Sequence, residues 1–370
     1  MKYYVIAGEA SGDLHASNLL KALKVEDNEA QFRAWGGDLM EEAGAELVKH
    51  YKDLAFMGFL EVAKNIKTIL NNISFCKKDI IEYSPDVLIL VDYPGFNLRI
   101  AKWAKSKNIR VFYYISPQIW AWHTSRVHDI KKHVDKMFVI LPFEKEFYER
   151  YNYNVDFVGH PLLDVINNFK VDTNFLKANQ LSNQPIIALL PGSRKQEIKR
   201  MLNVMLKAVS EIPDFQIVIA GAPSIPEEFY SDLIGDIKNV ALIQNQTYQL
   251  LHYASMALVT SGTATLETGL FKVPEVVCYS GNAVSYQIAK RLIDVKYISL
   301  VNLIVDKPLV TELIQSEFTI ENLKTEIKKL TEEKNLKEIK KGYDELAEKL
   351  GNDGASKRAA QLMVGYLKKK

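Results

Sequence analysis

A chain of 370 residues is long for one hydrophobic core and points to two domains. Its 48% hydrophobic and 25% charged residues exclude a largely disordered chain, and a formal net charge of +2 argues against a nucleic-acid partner. Two distant cysteines, Cys76 and Cys278, exclude a disulfide framework and a cysteine-based zinc site, and read as reduced core thiols.

The chain enters a strand at residues 3–7 with no cleavable leader pattern, and no apolar run reaches bilayer length, so membrane contact is expected to be peripheral. Apolar runs predict further strands at 31–35, 86–91, 110–115, 136–141 and 155–158. Helical patterns at 15–24, 60–83 and 98–107 lie between them, as in a doubly wound parallel α/β sheet. Residues 165–184 are polar and read as a connection with one short helix. The strand pattern then restarts at 185–190, 215–220, 240–244, 256–259 and 273–278. From 319 onward only helix is expected, with breaks near Asn335 and at 351–354 and a final helix over 355–367 capped by Asp353 or Ser356. The resulting division is 1–165 and 166–345, two Rossmann-like halves, with 346–370 as a helical tail.

Ligands of such sheets bind beyond the carboxyl ends of the strands, so the loops there carry the chemistry. Gly8-Glu-Ala-Ser-Gly-Asp13 is a glycine turn entering a helix, suited to an anion or a sugar, and equally to a tight turn with Asp13 as helix charge. Asp92 ends the apolar run 87–91 and is the best-placed base for removing a proton from an attacking hydroxyl; its competing role is a helix cap. Ser116-Pro-Gln-Ile-Trp-Ala-Trp122 places two tryptophans where a ligand wall or an edge contact would lie. Pro191-Gly-Ser-Arg194 joins a glycine turn (Gly192, Ser193) to a guanidinium, which suits a pyrophosphate. Ser261-Gly-Thr-Ala264 is a hydroxyl-rich turn able to bond phosphate, with Glu267 one helical turn on, in reach of ribose hydroxyls. His160, in a Gly-His-Pro loop, reads as structural rather than catalytic.

These loops, together with Asp53-Leu-Ala-Phe-Met-Gly58, Leu141-Pro-Phe-Glu144 and Gly159-His-Pro161, resemble the lipid-A-disaccharide synthase family in order and spacing over nearly the whole chain. The resemblance implies an α/β GT-B fold, two Rossmann-like domains facing a central cleft with the tail crossing back to the first. It implies an inverting glycosyltransferase with neither metal nor cofactor, joining UDP-2,3-diacylglucosamine to 2,3-diacylglucosamine 1-phosphate through a β-1,6 link and releasing UDP. By the same resemblance Asp92 and Arg194 are the essential aspartate and arginine, and Glu9 and Asn302 fall on positions tied to activity. Ser11, Gly12, Gly192, Ser193, Arg194, Ser261, Gly262, Thr263, Ala264, Glu267 and Asn302 are then expected around the donor. Gly95 stands where relatives often carry a second acid, leaving Asp92 as the only acid of its loop.

Acylated substrates imply work at the cytoplasmic leaflet of the inner membrane. In residues 57–73, Leu60, Ile66, Ile69 and Leu70 fall near one helical face with Lys64 and Lys67 beside them, as in an interfacial helix; the competing reading is a core-facing helix. Five basic residues without an acid at 99–110, and five more at 356–370, can add attraction to anionic lipid. A UDP-N-acetylglucosamine 2-epimerase and a peptidoglycan glycosyltransferase with a lipid-linked acceptor share the fold logic, and the tryptophan loop and Gly8-Glu-Ala-Ser-Gly-Asp13 argue against both; against a non-catalytic nucleotide-sugar or lipid binder stand Asp92 and Arg194 at strand ends. A homodimer stays open as an assembly.

Overall fold

The computed structural model describes residues 1–53, 66–121, 124–281 and 296–369. The chain divides into two compact units: Met1–Asp164 with Gly351–Lys370, and Val165–Leu350.

The first unit holds seven parallel strands: β1 (Lys2–Ala7), β2 (Gln31–Gly36), β3 (Glu46–His50), β4 (Val87–Val91), β5 (Val111–Tyr114), β6 (Lys136–Val139) and β7 (Asp156–Phe157), in the order β3-β2-β1-β4-β5-β6-β7. The central strands are buried on both faces, which is why β4 reads Val-Leu-Ile-Leu-Val without alternation. The connecting helices are α1 (Ala10–Glu26), α2 (Asp38–Glu42), α3 (Ile66–Tyr83), α4 (Pro94–Ser106), α5 (Arg126–His133), α6 (Pro142–Glu149) and α7 (Pro161–Asn167). Buried Asp79 pins α3 to the sheet: it accepts from Tyr4 OH at 2.6 Å and from Arg33 Nη2 at 2.7 Å.

The second unit repeats the plan with β8 (Ile186–Leu190), β9 (Gln216–Gly221), β10 (Val240–Gln244), β11 (Ala254–Thr260), β12 (Glu275–Tyr279) and β13 (Thr311–Ile314), ordered β10-β9-β8-β11-β12-β13 and all parallel. Its helices are α8 (Phe175–Ala178), α9 (Lys195–Val209), α10 (Glu227–Ile234), α11 (Thr247–Tyr253), α12 (Thr263–Leu270), α13 (Leu300–Val305), α14 (Ile320–Lys329) and α15 (Glu333–Lys349).

Two unpredicted strands and one helix cap differ from the sequence expectations. β3 and β13 were not anticipated; both are sheet edges, half-exposed and mixed in polarity, so neither shows an apolar run. The break expected near Asn335 lies at 330–332, just before α15; Asn335 stands in the first turn of that helix and its Nδ2 bridges the break by donating to Lys329 O and Glu332 Oε2, both at 3.0 Å. Neither Asp353 nor Ser356 caps the terminal helix α16 (Ala355–Lys368); Gly354 takes the N-cap position at φ +87°.

The cap of α16 comes from far back in the chain. The Asp164 carboxylate accepts from the backbone N–H of Gly354, from Ala355 N at 3.3 Å and from Ser356 N at 3.2 Å. Arg358 Nε donates to Val158 O at 2.9 Å, and Tyr366 OH to Asp156 at 3.0 Å. The tail therefore returns to the first unit, as expected, and is held there by its own orphan amides. Replacing Asp164→Ala should lower unfolding free energy by about 1–2 kcal/mol, read from urea denaturation, with loss of α16 protection in hydrogen exchange.

Candidate active site

In each sheet the strand order reverses between two neighbours, and the loops after those neighbours diverge to leave a crevice. In the first unit the reversal lies between β1 and β4, where Ala7 pairs with Val91. The loops that follow are those of Glu9 and Asp92. In the second it lies between β8 and β11, where Leu190 pairs with Val259, ahead of Arg194 and Ser261.

Asp92 and Tyr93 both hold left-handed backbone, at φ 43° and 49°, an uncommon pair for non-glycine residues. The fully buried Asn97 fixes them: its Nδ2 faces Asp92 O at 2.8 Å, Val91 O at 3.2 Å and Ile6 O at 3.4 Å. Tyr113 OH, from β5, donates to Asp92 O at 2.5 Å. The Tyr93 ring lies over Gly8, where any Cβ would come within 2.3 Å of it. Ile115, closing β5, is also left-handed at φ 65°, which a β-branched residue rarely tolerates. Strain thus gathers at the carboxyl edge of this sheet.

The geometry sets the Asp92 carboxyl. Burial, then the neighbouring Glu9 carboxylate, push its pKa up to about 6, against a weaker lowering by the Tyr93 amide. That suits a base working near neutrality. Asp92 does not cap α4, whose start is Pro94 rather than residue 98. α1 likewise starts at Ala10, so Ser11 and Gly12 lie in its first turn: Ser11 is exposed, while Gly12 is buried against Ala7, where a Cβ would sit 3.3 Å from that side chain. Gly12 is a packing residue. Asp13 is committed to the fold as well, accepting from Gly37 N at 2.8 Å and from Leu39 N and Met40 N at 3.2 Å.

Beside this crevice Ser116 Oγ lies 2.7 Å from Tyr148 OH, and Trp120 meets Phe143 edge-on at 4.8 Å. Glu144, unremarked as a site residue in the sequence, is buried here, accepting from Leu141 N at 2.9 Å and Ile140 N at 3.2 Å. Burial raises its pKa to about 7. Its signal was its place in Leu-Pro-Phe-Glu, three residues into a helix that starts on proline. Trp122 and His123 lie outside the described residues. His160 is buried, its Nδ1 accepting from Leu162 N at 3.2 Å, and burial holds its pKa down at about 3, so it is a neutral structural group.

In the second unit Gly192 needs its φ of +107°, and Ser193 N at 3.1 Å donates to Glu197, which reaches back over the start of α9. Arg194 is the N-cap of α9 and is exposed. Gly262 is the N-cap of α12, with open space around it, and Thr263 and Ala264 open that helix. Ser261 Oγ donates to Ile298 O at 3.1 Å, which ties the turn to the segment before α13. Glu267, raised by burial, accepts from Tyr248 OH at 2.9 Å.

Asn302 is held inside the fold. It is fully buried; its Nδ2 donates to Val310 O and Glu312 Oε1, both at 2.9 Å, and its Oδ1 accepts from Val310 N at 3.0 Å. Both amide hydrogens are engaged inside the protein. It positions: Glu312 also accepts from Ile298 N and Ser299 N, each at 3.0 Å, in the segment that holds Ser261.

Of the proposed membrane face, Leu60 and Lys64 lie outside the described residues, and Ile66 opens α3. Ile69 is partly buried against the core, whereas Leu70 is exposed. Phe75 and Ile81, not singled out from sequence, are exposed on the same helix. No helix among the described residues is long and apolar enough to cross a membrane.

Two parallel Rossmann-like units, each with a strand-order reversal at its centre, make up the GT-B fold. Structural neighbours agree on the fold. A putative UDP-N-acetylglucosamine 2-epimerase from Listeria monocytogenes matches with TM-score 0.70 at 13% identity, over 100% of this chain and 97% of that one. The calicheamicin glycosyltransferase matches with TM-score 0.61 at 14% identity, over 99% and 98%. The family model for lipid-A-disaccharide synthetase matches residues 3–364. Lipid-A-disaccharide synthase of Syntrophus aciditrophicus is 41% identical over 99% of this chain and 97% of its own length, and that of Myxococcus xanthus 37% identical over 98% and 97%. The chain belongs to the lipid-A-disaccharide synthase family, glycosyltransferases of lipid A biosynthesis.

Asn97→Ala would leave buried carbonyls of β1 and β4 without their donor. We expect a loss of about 2–3 kcal/mol in urea denaturation, well above the effect of an exposed substitution such as Gln118→Ala.

Proposed function

We propose that this enzyme transfers the diacylglucosaminyl group of UDP-2,3-diacylglucosamine to 2,3-diacylglucosamine 1-phosphate with inversion, forming the β-1,6 disaccharide 1-phosphate and UDP. The carrying observation is the half-buried Asp92 carboxyl at the β1/β4 switch point, with its pKa brought to about 6. The acceptor hydroxyl attacks the anomeric carbon, its proton passes to Asp92, and the bond to the UDP oxygen breaks. Charge growing on the departing diphosphate is met by Arg194 and the amides at the start of α9, and by the turn at Ser261, Gly262 and Thr263. Such groups do the work a metal would otherwise do, so EDTA should leave turnover intact. On this reading the first unit handles the acceptor and the second the UDP-sugar.

Both substrates carry acyl chains, which places the work at a membrane surface, the cytoplasmic leaflet of the inner membrane. Exposed Leu70, Phe75 and Ile81 on α3 give this support, as do the basic residues of α4, Arg99, Lys102 and Lys105.

Asp92→Asn should keep UDP binding by calorimetry and lose about 10²–10⁴-fold in turnover in a transfer assay. Wild-type activity should rise with pH through about 6, as the base ionises. The stability sign is opposite. A carboxyl whose folded pKa is raised costs stability once pH exceeds its unfolded value, and the full cost is present above about 6. Asp92→Asn should therefore be more stable than wild type at pH 8, on the order of 2 kcal/mol, with the gain vanishing near pH 4. Unchanged turnover in this variant would end the base assignment.

Because the Glu9 carboxylate helps raise Asp92, Glu9→Gln should move the acid limb of the pH–rate profile to lower pH. An unmoved limb would show that Asp92 is not the titrating group.

A further inference from the structure

The tryptophan loop leaves the first sheet beside the candidate base. β5 ends at Tyr114, which pairs with Val91, and Asp92 N donates to Tyr114 O at 3.2 Å. The next residue, the left-handed Ile115, donates its N–H to Phe138 O of β6 at 3.0 Å. The path from Ser116 to Trp120 therefore starts at a fixed point, one strand away from Asp92.

Helix α6 carries that path. Glu144 and Tyr148 stand four residues apart on it, with Phe143 next to Glu144. Tyr148 holds Ser116 through the 2.7 Å contact of their hydroxyls, and Phe143 meets the Trp120 ring edge-on. Glu144 is only 1% exposed, and its Oε2 takes the N–H groups of Leu141 and Ile140. Burial raises its pKa, and those two amides, the Ser116 hydroxyl and the Trp120 indole pull it back down. Both polar side chains of the loop thus favour the carboxylate. The Trp120 N–H is buried and meets no acceptor at ordinary hydrogen-bond geometry among the described residues. Removing the nearby negative charge would leave it with nothing to face. The Trp120 side chain as a whole is half-buried, so part of it stays open to a ligand.

We propose that Glu144 is a positioning residue of the transfer reaction: its carboxylate, held by the Ile140 and Leu141 amides, fixes Ser116 and Trp120 and so sets the wall beside Asp92 against which the acceptor sugar lies. This rests on the reading that the first unit handles the acceptor. Glu144 touches no substrate and acts only through the tryptophan loop. No covalent bond changes.

A role confined to the start of α6 would be filled equally well by glutamine, whose side-chain oxygen can accept from the same two amides. The loop tells the two roles apart. Once that oxygen is taken, glutamine has only N–H groups left, and these meet the Trp120 N–H as one donor against another.

The test is a transfer assay on the full chain with 2,3-diacylglucosamine 1-phosphate as the varied acceptor. Glu144→Gln should raise the acceptor KM roughly tenfold or more, with kcat at saturating acceptor, donor KM and UDP affinity close to wild type. Trp120→Phe removes the N–H and keeps a ring, so in that background Glu144→Gln should add less than about twofold. An unchanged acceptor KM in Glu144→Gln overturns the proposal. So do a fall in kcat alone and effects of the two substitutions that simply multiply. Should Glu144→Gln fail to fold, the wild-type chain decides. Its Trp120 indole N–H resonance, identified by its loss in Trp120→Phe, should move with pH near 7 as Glu144 ionises, and should still do so in Asp92→Asn. Tyr148, the titratable group set against Glu144, is pushed up by burial and stays neutral over that range. A resonance that stays still, or that moves only while Asp92 is present, overturns the proposal. Should wild type transfer nothing to this acceptor, it is the proposed function that fails, and the indole resonance still decides whether Glu144 governs the loop.

Discussion

The amide of Asn97 is the contact on which the first unit's site depends. Two hydrogens are shared among the carbonyls of Ile6, Val91 and Asp92, which join the ends of β1 and β4 where the following helices part. Without that donor a reversal in strand order would expose unpaired carbonyls in a dry position. With it, the chain can turn through two successive left-handed residues and still present the Asp92 side chain from a fixed backbone. Gly8 belongs to the same constraint, because the turned Tyr93 must put its ring where any larger residue would stand.

The second unit answers the same topological problem with different chemistry. Its crevice is stabilised by Asn302, Glu312 and Ser299, which hold the segment receiving Ser261 Oγ. A buried asparagine near a strand end serves both units, yet the placements differ. Asn97 grips the backbone of a candidate base, whereas Asn302 grips a neighbour of a neighbour. Loss of Asn302 would act through displaced backbone.

Legibility in the sequence followed burial. Central strands such as Val87–Val91 and Ile186–Leu190 are enclosed on both faces, so their composition alone gave them away. The edge strands Glu46–His50 and Thr311–Ile314 are half-solvated and carried no such mark. Helix starts were set too late because Gly, Ser, Asp and Pro at 10–13 and 94–95 read as turn residues, although they form first turns directly after the strands. Asp92 was legible because an acid closing an apolar run is conspicuous. The cap of the final helix by Asp164 was not, since it joins residues 190 apart and leaves no local pattern. Glu144 carried a local mark, its place three residues into a proline-started helix, but that mark reads as a helix cap and does not show its burial.

The carboxyls sort themselves by what surrounds them. Asp79 meets Arg33 and Tyr4, Asp27 meets the terminal ammonium and Tyr3, and in both the donors outweigh burial and hold the pKa down. These acids fasten the sheet and are charged at any ordinary pH. Asp92, Glu144, Glu267 and Glu275 go the other way: burial dominates and each is raised. A fold does not hold acids in that condition for stability, since each ionised form costs more than it would in water. Two of the four stand at the switch-point crevices, one supports the tryptophan loop beside the first crevice, and the fourth, Glu275, is buried at the start of β12. The direction of the shift, read with the position of the group, therefore separates acids that build this protein from acids kept for a proton or a partner.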